Sequence, residues 1–271
     1  MPILEKYTAI QFHGSTARGM TKPFRVTAKH CETGEEALLV VKPRAGYGNR
    51  QDAIYKEILS TLLARELGLY TPTPVIVDLS AGLEFAAADD EQAAEMIRNS
   101  VGLNFATIDL GNDWKTWTVG ANPQNMDSGM IEDIYAFDAL VQNTDRRPDN
   151  PNLLWKGEQI AALDFDRSLA YLSETGSKPW STFLAMMQVT GHALYKNLKI
   201  EATRNVGQNI WDNYEGWRYP GGSIDSLVEG DAALPPLNCS EDSYLPSVVN
   251  YFTAFQSDPE SFFQYLTAHS T

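Results

Sequence analysis

Between positions 144 and 166 the chain runs Thr144-Asp145-Arg146-Arg147-Pro148-Asp149-Asn150, then an apolar stretch, then Leu163-Asp164-Phe165-Asp166. Few folds accommodate this order. Pro148 and the surrounding Asp and Asn residues stop a helix from continuing, so Asp145 and Asn150 must lie in a turn-rich loop. Leu153-Leu154-Trp155 and Gln159–Leu163 then read as two strands about a Lys156-Gly157 turn. That hairpin delivers Asp164 at the end of a buried strand. One acid can then face an attacking hydroxyl, while an amide and a second acid hold a hard cation, which prefers oxygen ligands. Phosphoryl transfer uses this arrangement. Taken separately, Asp145 with Asn150 is also ordinary turn composition, and Asp164 is also a strand-end carboxylate capping a turn. The order of the elements favours the chemical reading.

Upstream, Lys42 ends the apolar strand Leu38-Leu39-Val40-Val41-Lys42. A strand lysine facing a cleft can pair with the α- and β-phosphates of a nucleotide if a carboxylate secures it. Glu57, on the following helix, is the best-placed acid. Each has a plainer reading, Lys42 as a snorkelling strand end and Glu57 as an exposed helix charge. Between the first two strands lies His13-Gly14-Ser15-Thr16-Ala17-Arg18-Gly19. Its small residues would let backbone N–H groups of Gly14, Ser15 and Thr16 approach phosphate oxygens, and Arg18 would add charge. A generic hairpin turn explains the stretch almost as well.

The first third reads as strands, Tyr7–Phe12, Phe24–Lys29 and Ala37–Lys42, between Gly- and Thr-rich breaks. A helix follows, capped by Asn49, with Ile54, Ile58, Leu62 and Leu59, Leu63, Leu67 as its apolar stripe, and Gly68 as its end. Val75–Leu79 is a strand and Asp89–Arg98 a helix. Ser128–Gln142 is a helix capped by Asp127 or Ser128, with Met130, Ile134, Phe137 and Val141 in register. Tryptophan-bearing helical segments resume after Pro179, and Pro220-Gly221-Gly222 and Pro235-Pro236 mark long loops. Tyr244–Leu266 forms one or two terminal helices. The expected fold is α+β and two-lobed: a β-rich N-lobe over residues 1–86, crossing at Leu79–Phe85 into a mainly helical C-lobe over 87–271. Trp114, Trp117, Trp211 and Trp217 read as packing aromatics, with a peptide-binding groove as the alternative. His192 reads as a packed helix residue.

Composition narrows the partners. The 271 residues carry 21 Lys and Arg against 35 Asp and Glu, a net charge of −14. A field of that sign repels nucleic acid and anionic lipid, so neither is expected as a partner. Cys31 and Cys239 stand far apart with no His/Cys cluster, so there is no zinc spacing and no disulfide framework, only room for a single disulfide. The N-terminus has no basic leader and no apolar run reaches membrane-spanning length, so cytoplasmic residence is expected.

The chain resembles the HipA-like kinases, bacterial relatives of the protein-kinase and phosphoinositide-kinase folds. The resemblance rests on Val40-Val41-Lys42, on Glu57-Ile58-Leu59 through Leu67-Gly68-Leu69, and on Phe137-Asp138-Ala139-Leu140-Val141-Gln142-Asn143-Thr144-Asp145. It continues through Asn150, Asn152-Leu153-Leu154-Trp155 and Leu163-Asp164, covering roughly residues 10–170. It implies a protein-kinase-like fold that uses ATP and Mg²⁺ to phosphorylate Ser or Thr on a protein. In that family the residue matching Asp145 is catalytic, those matching Asn150 and Asp164 bind Mg²⁺, and that matching Lys42 contacts ATP. Aminoacyl-tRNA synthetases are the known target type of the family's toxins, which pair with an antitoxin. The family autophosphorylates a phosphate-loop serine, for which Ser15 or Thr16 is the nearest equivalent. Two departures stand out. The phosphate loop begins near His13, as in shorter single-module members, and Asp166 replaces the glycine of the usual Asp-Phe-Gly. The same constellation also serves small-molecule and lipid kinases, and a pseudokinase would bind nucleotide without turnover.

Overall fold

The computed structural model describes residues 4–16, 19–48, 50–118, 128–172, 180–181, 183–184, 191–198, 206–218 and 241–270. The chain divides into two compact units, one of residues 1–58, 72–111 and 228–240, the other of 59–71, 112–227 and 241–271.

In the first unit, five strands close into a barrel: β1 Lys6–Ser15, β2 Phe24–His30, β3 Glu36–Lys42, β4 Pro74–Leu79 and β5 Gly102–Ile108. Their order around the barrel is β1-β2-β3-β5-β4. Every pairing is antiparallel except β1 with β4, where Lys6, Tyr7 and Thr8 run alongside Ile76, Val77 and Asp78. Period-two alternation makes the core. On β2, Phe24, Val26 and Ala28 point inward while Arg25 and Lys29 do not; on β3, Leu39 and Val41 do the same. Val75, Val77, Leu79 and Ala106 complete the packing, and α3 (Glu91–Arg98) adds Ala93, Ala94 and Ile97. Asp90 caps α3 by accepting the backbone N–H of Ala93 at 3.0 Å.

Two sequence expectations change here. Leu79–Phe85 is an internal connection: after it come α2 (Leu83–Ala86), α3 and then β5, which pairs with both β3 and β4. Residues 87–111 therefore belong with the barrel. The reason is β5 itself, whose buried centre includes Asn104, a residue that does not read as strand core. Its side chain is satisfied locally, accepting the N–H of Arg44 at 2.9 Å and donating to the carbonyls of Ser100 and Gly102 at 2.7 and 2.8 Å. Second, β1 extends through Gly14 and Ser15, because Gly14 pairs with Arg25 and Ser15 with Phe24.

Helix α1 (Gln51–Glu66) takes the length expected of its apolar stripe, and Gly68 follows with φ of 85°. Its expected cap, Asn49, lies outside the described residues.

The second unit is built on α4 (Ser128–Leu140), of which Ile131, Ile134, Tyr135, Phe137 and Leu140 are buried. Its expected alternative cap, Asp127, lies outside the described residues, as do Pro179, Cys239 and the Pro220-Gly221-Gly222 and Pro235-Pro236 loops. β6 (Lys115–Thr116), β7 (Leu153–Lys156) and β8 (Gln159–Ala162) form a small antiparallel sheet, with Gly157 at φ of 59° in the β7–β8 turn. The terminal region is two helices, α6 (Glu241–Ser257) and α7 (Pro259–Ser270), preceded by α5 (Gln208–Arg218). Trp180 meets Phe255 and Phe262 edge-on at 6.2 and 5.8 Å, and Tyr214 meets Phe255 at 5.0 Å. Such T-shaped contacts suit the ring quadrupole. Trp211 joins this cluster through Phe263 at 5.2 Å; Trp117 is buried, and Trp114 stacks on Tyr70 at 5.2 Å. The side chain of Trp217 lies outside the described residues. Among the described residues, no helix is long and apolar enough to cross a membrane.

Candidate active site

The loop after α4 carries Asp145. Helix α4 ends because Gln142 takes a left-handed backbone (φ 52°), and the loop then folds on itself through an Arg147–Asn150 bridge. Asp145 is fixed from three sides. Its N–H donates to the Asn143 side-chain oxygen at 3.1 Å. Its Oδ2 accepts from the amide nitrogens of Asn150 and Asn152, at 2.7 and 3.2 Å. Its Oδ1 has Arg147 Nη1 3.8 Å away, beyond hydrogen-bond range. One carboxylate oxygen is thus held by two amides and the other by an ion pair with Arg147 alone.

Those amide contacts orient Asn150 as well. With Nδ2 committed to Asp145, its Oδ1 is the atom available to a cation. Asp164 follows β8 in a left-handed conformation, φ 59°, which Asp tolerates better than most residues. The carboxylate oxygens of Asp164 and Asp166 lie within 4.8 Å of one another. An amide oxygen and carboxylates are hard donors of the kind Mg²⁺ takes, so this donor set fits that ion.

Electrostatics tune the acid. Burial pushes the Asp145 carboxyl above its ordinary pKa, the Asp164 carboxylate raises it further and Asp166 adds to this. The Asn152 hydrogen bond and Arg147 pull the other way without cancelling it. A carboxylate held this way is a stronger base than one in water.

In the barrel unit, Lys42 lies on the strand face opposite Leu39 and Val41. Its Nζ is 2.8 Å from Glu57 Oε1, with the side chains 14% and 3% exposed. Neither residue is the solvated surface charge that its type allows. Ser15 donates its hydroxyl to Asp90 Oδ2 at 2.6 Å, a bond that holds the Asp90 carboxyl below its usual range. Thr16 donates its hydroxyl and N–H to the Pro23 carbonyl at 3.0 and 2.8 Å. Gly14 has φ of 111°, a conformation glycine alone adopts freely. Arg18 lies outside the described residues.

Beneath the Asp145 loop is a network that sequence reasoning passed over. Asp138, on α4, is fully buried and accepts from Asn143 Nδ2 at 2.8 Å, from Arg146 Nε, and from His192 Nε2 at 2.9 Å. Burial opposes its charge, but Arg146 and His192 outweigh it and hold the carboxyl below its usual range. His192 Nδ1 accepts the N–H of Leu194 at 3.2 Å, so the ring proton sits on Nε2 and the ring is neutral. His192 is buried as expected, but in the turn before a short 3-10 segment (Tyr195–Asn197) rather than in a helix. The available signal was Asp138 itself: an acid in the apolar run Phe137-Asp138-Ala139-Leu140 needs a buried partner.

A pH prediction follows. Burial lowers the His192 pKa below its ordinary 6.5, more than Asp138 raises it. The unfolded chain therefore takes up that proton first as pH falls. The stabilisation from neutral His192 is complete above about pH 6.5 and is lost as pH drops from there towards the folded pKa. Asp138 adds a loss of the same sign at lower pH, below the ordinary carboxylate range. Asp145, with its raised pKa, has the opposite sign. Tm is expected to fall between pH 7.5 and 5.5, and His192→Asn to flatten that fall; an equal fall in both proteins would remove His192 from the account.

A sequence model of the HipA-like kinase family matches residues 9–186, well over half of the chain. The chain belongs to the HipA-like kinase family. The matched span includes Lys42, Glu57, Asp145, Asn150 and Asp164, and the mixed helices and strands fit the family's kinase-like α+β fold. No curated protein matches. Among solved structures, the Helicobacter pylori proinflammatory kinase CtkA is similar, at 12% identity and a TM-score of 0.49, over 99% of this chain and 98% of that one. A Neurospora crassa complex of PAN2 (WD40-CS1) with PAN3 (pseudokinase and C-term) also matches, at 12% identity and a TM-score of 0.33, over 97% and 67%. At these scores neither neighbour speaks to this family member's chemistry.

Proposed function

We propose that this chain transfers the γ-phosphoryl group of ATP to the hydroxyl of a protein serine or threonine, as a two-lobed, Mg²⁺-dependent kinase. The observation that carries this reading is the setting of Asp145: one oxygen held by two amides, the other in a loose ion pair with Arg147, and a pKa raised by burial and by Asp164. Asp145 orients the acceptor hydroxyl through Oδ1 and takes its proton as the phosphoryl group moves. Asn150, through Oδ1, and Asp164 would hold Mg²⁺, which neutralises charge on the phosphate oxygens when bound. Lys42, secured by Glu57, would bind α- and β-phosphate oxygens, and the β1–β2 turn after Gly14 and Ser15 would face the outer phosphates. Catalysis on this scheme is positioning plus charge neutralisation.

The protein acceptor rests on family membership. So do an aminoacyl-tRNA synthetase target and an antitoxin partner; residence in the cytoplasm, expected from the sequence, belongs to the same proposal. A second reading, a pseudokinase that binds nucleotide without transfer, draws support from Asp166 standing in place of glycine. Incubation with Mg²⁺ and ATP followed by intact-mass measurement separates the two. The kinase reading expects a gain of phosphate on the chain itself or on protein in a lysate given γ-labelled ATP. Label appearing only in small metabolites or lipids would reassign the acceptor. Nucleotide binding with no transfer to anything would establish the pseudokinase.

A further inference from the structure

We propose that Arg146 is a positioning residue that sets the spacing of the two metal ligands, Asn150 and Asp164; the inference rests on the functional reading above. Arg146 and its neighbour Arg147 are identical in type and opposite in fate. Arg147 is solvent-exposed beside Asp149, whereas the Arg146 side chain is 0% exposed. Its Nε is paired with Asp138, which anchors it to α4. Its Nη1 reaches three carbonyls: Pro151 at 3.1 Å, Asn152 at 2.6 Å and Leu163 at 3.3 Å.

The identity of those carbonyls carries the argument. Pro151 directly follows Asn150, and Leu163 directly precedes Asp164. One nitrogen thus joins the Leu163–Asp164 peptide, which adjoins one ligand, to the Pro151–Asn152 peptide, one residue beyond the other, while the Nε of the same rigid, planar group is fixed to the helix. The Leu163 N–H closes the bridge by donating to the Asn152 carbonyl at 3.0 Å. The Arg146 carbonyl accepts the Ala193 N–H at 3.0 Å, and its guanidinium lies over the Phe165 ring at 5.2 Å. Arg146 also adjoins Asp145 in sequence, so acid, amide and second acid share one buried reference point. A lysine cannot reproduce this, because a single ammonium lacks the fork that spans Asp138 and the carbonyls.

The test is Arg146→Lys, read by binding of Mn²⁺ with a non-hydrolysable ATP analogue, followed by water-proton relaxation, alongside Tm and turnover. Positioning predicts Mn²⁺ affinity weakened about 10-fold or more, as for other groups that orient metal ligands. It also predicts turnover partly recovered at high Mg²⁺, with the variant still folded. A role in stability alone would lower Tm and leave metal affinity unchanged, which overturns the proposal. If Arg146→Lys does not fold, Asp138→Asn, which keeps the volume and one acceptor, is read with the same two outcomes. If neither folds, Arg146 serves stability and the proposal falls. The wild-type arm separates the two levels of inference: no Mn²⁺–nucleotide binding there sinks the kinase reading itself, whereas wild-type binding with an equally tight variant sinks only the positioning role.

Discussion

Asp145→Ala is expected to lower phosphate transfer by about 10²- to 10⁴-fold, the range for loss of a general base, while nucleotide affinity stays unchanged. The separation follows from the contacts. Asp145 Oδ2 is held by Asn150 and Asn152 from its own loop, while Lys42 is paired with Glu57. Asp145→Asn makes the sharper comparison, because it keeps the size while removing the charge and the basicity. Both variants are to be compared with wild type by single-turnover transfer from labelled ATP and by nucleotide titration. Without metal, the Asp145 carboxyl is expected to titrate above its ordinary value, because burial and then Asp164 raise its pKa. Undiminished transfer by either variant would take Asp145 out of the mechanism.

Asp138→Ala is expected to cost about 3–5 kcal/mol of stability, because it strands the Arg146 charge in the interior. For a chain of this size that is a fall in Tm on the order of 10 °C. The size of the effect comes from burial, since both side chains are 0% exposed. The contrast is Arg147 with Asp149, at 3.2 Å and largely exposed, where water and salt screen the pair. Asp149→Ala should leave Tm where it is. Thermal melts of the two variants in one buffer check the claim, and equal, small shifts would show that the buried pair is not under load.

Local order was readable because it depends on near neighbours. The strands at 24 and 37 and the β7–β8 hairpin carry period-two patterns, and α1 and α4 carry helical ones; each formed within a few residues of its expected bounds. The order of lysine, acid, amide and acid was readable for the same reason. Where these patterns failed, a distant partner decided. β5 was missed because its buried Asn104 breaks the strand signature until Arg44, Ser100 and Gly102 are seen to satisfy it. The parallel pairing of β1 with β4 joins segments about 70 residues apart, and no local propensity encodes it.

The amino-acid order alone determined the type and sequence of the elements and the chemistry of the groups they carry, because side-chain periodicity and turn composition are properties of a short stretch. Only the tertiary structure decided which of two adjacent arginines goes inside, which oxygen of Asp145 the amides hold and which atom of Asn150 is committed to Asp145. Those outcomes depend on burial and on hydrogen-bond partners brought together from separate elements, with Asp138, His192 and the Leu163 carbonyl all meeting around one residue or its neighbour.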